Sequence, residues 1–249
     1  MAMQPGVIRV PLAPIRAAAD DCAEMVTQGL FGQHLQWELV SDAPGWASVV
    51  LKDDGYSGYT DVKLLASAPE AIEAFSGESN MLTAPLTTLE WEGRPYHLPA
   101  GSSVPSGLIP HVPPRTESPI DAAHTFLGAP YLWGGKSVLG MDCSGLTQLA
   151  CALHGQAIPR DASQQWASLD QERKPFESLA HGDLVFFHKA DPLKVTHVGF
   201  AWLNGVGSPH VLHASGEVRL DPLQPDGILR DGAISHKWTG AAACPISAG

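Results

Sequence analysis

Up to about Arg115 the apolar positions fall in short runs of strand length: GVIRVPL, LQWELV, GWASVVL, GYSGYTDVKLL and LEWEGRPYHLPA. Gly, Pro and Asp break the runs, which predicts small antiparallel barrels or sandwiches. Asp53-Asp54-Gly55, between GWASVVL and GYSGYT, predicts a hairpin turn. Pro69 to Phe75 predicts one short helix. Residues 101–119, GSSVPSGLIPHVPPRTESP, hold five prolines and read as a linker or extended crossover. No internal repeat of strict period is visible.

Beyond that stretch the pattern changes. Ser118 is a helix cap, Pro119 belongs in a first turn, and Asp121 adds an acid where a helix start favours it. The helix is expected to run on to Leu127 and to end at Gly128. A loop, APYLWGGKSVLGMD, leads to a second helix of about Cys143 to His154, stopped by Gly155. A further loop precedes three strand candidates: 183–190, 197–203 and HVLHASGEVRL at 210–220. Helices followed by an antiparallel meander make an α+β domain.

One position in this domain invites chemistry. Cys143 opens the second helix directly after a glycine-containing loop. A helix start offers unpaired amide hydrogens and about half a positive charge, which favours a thiolate. A thiol of pKa ~8.5 is only ~3% ionised at pH 7, whereas one lowered to ~6 is ~90% ionised. The same amides suit the oxyanion formed when sulfur attacks a carbonyl. A base must face that helix start. His197 begins one strand candidate and His213 lies in the next. If these strands pair antiparallel across NGVGSP, both imidazoles fall on one face, His197 as base and His213 orienting it. His210, three positions from His213, points to the opposite face. His34, His154, His181 and His236 carry no signal beyond polarity.

Composition narrows the partners. With 15 Lys and Arg against 26 Asp and Glu, the formal charge is -11, and such a surface repels phosphate backbones. Neither nucleic acid nor a membrane is expected as partner, and no apolar run approaches the ~20 residues of a spanning helix. The N-terminus, MAMQPGVIRVPLAPIRAAADD, lacks a basic segment followed by an apolar one. The expectation is a cytoplasmic protein, or a periplasmic or secreted one if a leader has been removed. The four cysteines have no zinc-site spacing, and Cys22, Cys151 and Cys244 read as small buried hydrophobes. No metal or cofactor is expected.

The ordered set GAPYLWGG, MDCSGLTQ, IPRDASQQ, HGDLVFF, THVGFAW and VLHASG resembles the NlpC family of papain-like cell-wall cysteine peptidases. The resemblance runs from about Ser118 to the C-terminus. WELVSDAPGWASVVLKDDGYSGYTD is similar to the bacterial SH3-like domains joined to such peptidases. It implies three segments: an SH3-like domain at 1–68, a short second SH3-like block with linker at 69–117, and a papain-like catalytic domain at 118–249. It further implies a triad of Cys143, His197 and His213, with Tyr131 near the active site and Asp142 and Ser144 lining the substrate cleft. The implied reaction is hydrolysis of the bond between γ-D-glutamate and a diamino acid in murein peptides.

Relatives with N-terminal SH3-like domains often cut peptides that begin with a free L-Ala, gripping its amino group with carboxylates. Their Arg-Asp-Ser motif aligns with Arg160-Asp161-Ala162, so Asp161 is the expected partner of the ammonium. Ala162 stands where the motif has serine, which removes one expected hydrogen bond. Glu38, with Tyr56 or Tyr59, would add contacts from the SH3-like part. The expected substrate is therefore L-Ala-γ-D-Glu-diamino acid from murein recycling. The alternatives are an amidase using the same Cys-His dyad and a non-catalytic murein-binding protein. A lipid acyltransferase or thioesterase would place His before Cys. The residues leave open which diamino acid is accepted and the oligomeric state.

Overall fold

In a computed structural model of the chain, residues 3–76, 79–91, 93–108, 115–203 and 207–245 are described. The chain divides into two compact units: Met1–Pro114 with Trp133–Val138, and Arg115–Leu132 with Leu139–Gly249. Part of the proline-rich stretch (109–114) and part of the NGVGSP turn (204–206) lie outside the described residues.

The short runs of the first half become strands of one antiparallel sheet. They are β1 (Gln4–Ile8), β2 (Leu12–Arg16), β3 (Met25–Leu30), β4 (His34–Leu39), β5 (Trp46–Leu51), β6 (Ser57–Asp61) and β7 (Leu65–Ala66), in the order β3-β2-β6-β5-β4-β1-β7. Along β5, Ala47, Val49 and Leu51 are buried while Trp46, Ser48 and Val50 are not, the period of two that a half-buried strand requires. These three pack with Ile8, Ala13, Ile15, Leu35, Trp37 and Leu65 into one core cluster. Each large apolar side chain so buried contributes roughly 1.5–3 kcal/mol relative to exposure. The β5–β6 hairpin turns at Asp53-Asp54-Gly55 as expected, with the Leu51 amide donating to the Tyr56 carbonyl and the Tyr56 amide to Asp54.

A second cluster in this unit joins Val7 and Phe31 to Phe75, Leu82, Tyr96, Leu98 and Val104. The last five come from helix α1 (Pro69–Ser76), from the hairpin of β9 (Leu86–Trp91) and β10 (Arg94–Pro99), and from the strand pair β8 (Ser79–Met81) and β11 (Ser103–Pro105) with its flanks. The distant segment 133–138, with β12 (Lys136–Ser137), belongs to the same unit. There Trp133 donates its indole N–H to Glu24 and the Lys136 amide donates to Gln28.

The second unit begins with α2 (Pro119–His124), capped by Ser118, whose hydroxyl accepts from the Asp121 amide. It is shorter than the run to Leu127 expected from sequence. After β13 (Gly140–Met141) comes α3 (Cys143–Ala152), buried from Cys143 through Cys151, its polar Thr147 and Gln148 held by buried hydrogen bonds. α4 (Ala162–Ser168) follows in a stretch read from sequence as loop.

The remaining strands are β14 (Arg173–Lys174), β15 (Leu184–His188), β16 (His197–Trp202), β17 (His210–Ser215), β18 (Glu217–Gln224), β19 (Gly227–Arg230) and β20 (Ala233–Ala242). They form the order β14-β20-β15-β16-β17-β18-β19, and β19 pairs back onto β20 to close a ring. The single strand expected over 210–220 is in fact the hairpin β17–β18. Gly216, at φ 81°, turns the chain in the left-handed region that side chains with a Cβ avoid. Among the cysteines expected to be buried, Cys22 departs from expectation and Cys151 does not. Cys22 is exposed in the turn between β2 and β3, whereas Cys151 is buried with its sulfur 3.5 Å from that of Cys244.

Candidate active site

The nucleophile end is a knot of buried charge. Asp142 caps α3, its Oδ1 accepting from the Gly145 amide at 2.7 Å. Arg160, 2% exposed, donates from Nη1 to Asp142 Oδ1 at 3.0 Å and from Nη2 to Oδ2 at 2.6 Å. Nη1 also donates to Ser144 Oγ at 2.9 Å. A bidentate pair of this kind is among the stronger polar contacts, and it locks the residues on both sides of Cys143. Gln165 reinforces the arrangement by donating to the carbonyls of Ser144 and Pro159. The IPRDASQQ segment thus ties its loop to the start of α3.

Cys143 is the first residue of α3 and is 6% exposed. Burial, and then the Asp142 carboxylate, push its thiol up to about 12. The Val198 and Ser144 amides and the Arg160 charge pull the other way without prevailing. Burial thus opposes the thiolate that the helix start favours. Desolvation exceeds the half-charge of the helix, and the capping carboxylate offsets that charge. A thiol so placed is ionised more readily with a base beside it.

The base end comes from the sheet. The Val198 amide that hydrogen-bonds the Cys143 sulfur follows His197, so the start of β16 lies against the nucleophile. His197 Nε2 is 2.6 Å from His213 Nδ1, and His213 Nε2 is 3.0 Å from Asp221 Oδ2. The β16–β17 register sets Phe200 against Leu212 and Ala201 against Val211, which puts Gly199 opposite His213. A Cβ at Gly199 would come 2.7 Å from Val211 Cγ2 and 2.9 Å from His213 Cβ. Glycine in THVGF is what lets the two histidines approach. Burial, then the charges of His213, His236 and Lys189, hold His197 well below its ordinary value. Burial likewise lowers His213, against the opposing pull of Asp221.

Tyr131 is held where its hydroxyl feels the nucleophile. Its amide donates to the Gly216 carbonyl, while the neighbouring Pro130 carbonyl accepts from the Met141 amide. Burial, then the neighbouring ionisable groups Cys143 and Asp142, raise its phenol to about 12. Ser144 and Asp142 are buried, with their side chains engaged by Arg160. Asp161 is the N-cap of α4, and its amide donates to Gln164 Oε1 at 3.4 Å. Glu38, in β4, and Tyr56, in the β5–β6 turn, belong to the first unit; both are partly exposed.

Three participants were not assigned from sequence. The Arg160 side chain was overlooked beside Asp161. His236, thought to carry no signal, stacks on His197 with ring centroids 4.2 Å apart and planes 25° apart. Burial, then nearby positive charges, lower it to about 4, so it packs as a neutral ring. Asp221 was hidden by reading 210–220 as one strand. Once the chain turns at Gly216, the register places Asp221 against Val211 and Arg219 against His213.

Comparison with known proteins finds similar sequences and similar folds. Residues 128–230 match the NlpC/P60 family, and residues 15–65 match the bacterial dipeptidyl-peptidase Sh3 domain. A gamma-D-glutamyl-L-lysine dipeptidyl-peptidase of Bacillus cereus is 33% identical over 132 residues, covering 50% of this chain and 37% of the relative. Its namesake from Bacillus subtilis is 37% identical over 99 residues, covering 39% of this chain and 31% of the relative. The chain thus spans well under half the length of these two curated relatives. Among solved structures, an NlpC/P60 family protein from Bacillus cereus has a TM-score of 0.79 at 22% identity, covering 97% of this chain and 100% of the other. An NlpC/P60 endopeptidase from Photobacterium damselae subsp. piscicida has a TM-score of 0.68 at 13% identity, covering 96% and 73%. These two likenesses are of fold.

Proposed function

We propose, from the premise that this chain carries an NlpC/P60 domain of papain-like fold behind a bacterial dipeptidyl-peptidase SH3 domain, that it is a cysteine peptidase of murein peptides. The observation that carries the proposal is a buried cysteine at a helix start, facing the strand of one histidine that is hydrogen-bonded to a second. As the Cys143 sulfur attacks the scissile carbonyl, His197 takes the thiol proton. Backbone amides at the start of α3 receive the oxyanion. His197 then gives its proton to the leaving amine as the C–N bond breaks, and water hydrolyses the thioester. His213 orients His197 throughout.

The finer reading is cleavage between γ-D-glutamate and the diamino acid of a peptide that begins with free L-Ala. It draws on the names of the curated relatives and on Asp161 beside the Arg160 knot. Glu38 and Tyr56 of the first unit are assigned to substrate binding, and Tyr131 of the second to the neighbourhood of the scissile bond. A cytoplasmic recycling role is proposed with it.

The test is hydrolysis of L-Ala-γ-D-Glu-meso-diaminopimelate, its L-lysine counterpart and their N-acetylated twins. Cleavage of the free peptides alone, lost in Cys143→Ala, is the expected result. Equal cleavage of the acetylated peptides would remove the roles given to Asp161, Glu38 and Tyr56. Cleavage of none by folded protein would remove the peptidase.

A further inference from the structure

Three of the four ring nitrogens of His197 and His213 face a defined partner, and the outermost partner is Asp221. Asp221 is 4% exposed. Its Oδ1 accepts from Arg219 Nε at 3.0 Å and lies 2.9 Å from Nη2, while its Oδ2 faces His213 Nε2 at 3.0 Å. Burial pushes the Asp221 carboxyl up, but the bonds from His213 and Arg219 outweigh this and leave it below the usual range. At neutral pH it is a carboxylate, which can only accept. The proton of His213 must then be on Nε2. Its Nδ1 is bare, so across the 2.6 Å contact His197 must donate from its own Nε2. The nitrogen of His197 left for the thiol is Nδ1.

We infer that Asp221, anchored by Arg219, is a positioning residue that sets the tautomers of both histidines and so leaves His197 Nδ1 bare to receive the Cys143 proton. The proposal rests on the peptidase reading above for its catalytic meaning. In the step it serves, the proton passes from Cys143 Sγ to His197 Nδ1 and Nε2 keeps its own. The imidazolium so formed donates to His213, which Asp221 polarises in turn. Other charged or titratable groups around the chain are His236 on β20, Arg230 on β19 and Lys189 after β15. His236 lies over the ring face of His197, and none of the three is the hydrogen-bond partner of His197 Nε2 or of His213. Arg219 holds one carboxylate oxygen and His213 the other, so the carboxylate cannot turn away without breaking a buried contact.

The tautomers are read first, in the whole protein without substrate, from ring nitrogen chemical shifts at pH 7.5. Both His197 and His213 are expected protonated at Nε2 and bare at Nδ1; a proton on Nδ1 of either overturns the proposal. Asp221→Asn, whose amide can donate as well as accept, is expected to populate the other tautomer of His213. It is expected to lower kcat by about 10- to 100-fold with little change in KM, less than the ~10⁴-fold seen when a carboxylate directly on a catalytic histidine is changed this way. The acid limb of its rate profile should move to lower pH, because the charge that favoured the imidazolium is gone. Asp221→Glu should recover part of the rate. Asp221→Asn with kcat within twofold of wild type would overturn the proposal. Failure of the wild type to cut any murein peptide would remove the peptidase reading, and the nitrogen shifts would still decide the tautomers.

Discussion

The two units bury different things. The first fills its interior with two apolar clusters, around Trp37 and around Phe31, and among the described residues its buried polar side chains are neutral apart from Lys136. The second buries Asp142, Arg160, Asp183, His197, His213 and Asp221. Taking charge out of water costs several kcal/mol per ion unless each is paired, so their arrangement has a functional cost that a purely structural domain avoids. The first unit is organised by apolar area and tolerates graded change. The second is organised by partners that must all be present.

Four tests bear on that contrast, beginning with the largest effect. Arg160→Ala strands the Asp142 carboxylate and is expected to destabilise the protein by roughly 3–5 kcal/mol. The double change Arg160→Gln with Asp142→Asn should recover much of this in denaturant melts. Leu35→Ala in the first unit should cost about 2–5 kcal/mol, and no polar second change should restore it. If the Arg160 and Leu35 variants behave alike, the distinction between the units fails.

Next is the state of the thiol. Because burial and Asp142 raise it to about 12, alkylation of Cys143 by iodoacetamide should rise about tenfold per pH unit from pH 7 to 9. A rate already at its plateau by pH 6 would mean a resting ion pair with His197, contrary to the neutral pair described above.

A smaller effect concerns acid. His197, His213 and His236 have folded values below the ~6.5 of an unfolded histidine. Below that pH the unfolded chain binds more protons, so stability falls as pH drops from 6.5 toward 4 and is level above it. Amide exchange mapped by segment should show earlier opening in β16, β17 and β20 than in β4 and β5. Uniform loss across both units would count against it.

The smallest change separates the ring of His236 from its titration. His236→Phe keeps a flat ring against His197 and should leave kcat within about threefold, whereas His236→Ala should lower it by about tenfold, each threefold step being a fraction of 1.36 kcal/mol. Equal effects would mean that the stack is not what matters.

How much of this was legible in sequence depended on range. Asp142-Cys143, the capped start of α2 and the Asp54-Gly55 turn are local, and each was read at its observed place. The pairing of His197 with His213 needed only a register guess between neighbouring strands. Asp221 was missed because Gly216 was read through rather than as a reversal, and one wrong turn displaces every partner after it. His236 lies on a strand no local pattern announced, and it comes near His197 because β20 pairs with β15, the neighbour of β16. Arg160 was read as one letter of a motif, whereas its guanidinium bridges 18 residues of chain to Asp142.

By itself, then, the sequence determined that Cys143 opens a helix and that His197 begins a strand, because capping and hydrophobic period act over a few residues. Tertiary structure alone decided the burial of the thiol, the contacts of His197 Nε2 and of both His213 nitrogens, and the clamp of Arg160 beside Cys143. Those depend on burial and on contacts between residues far apart in the chain, which only the folded arrangement of α3 and the closed sheet brings together.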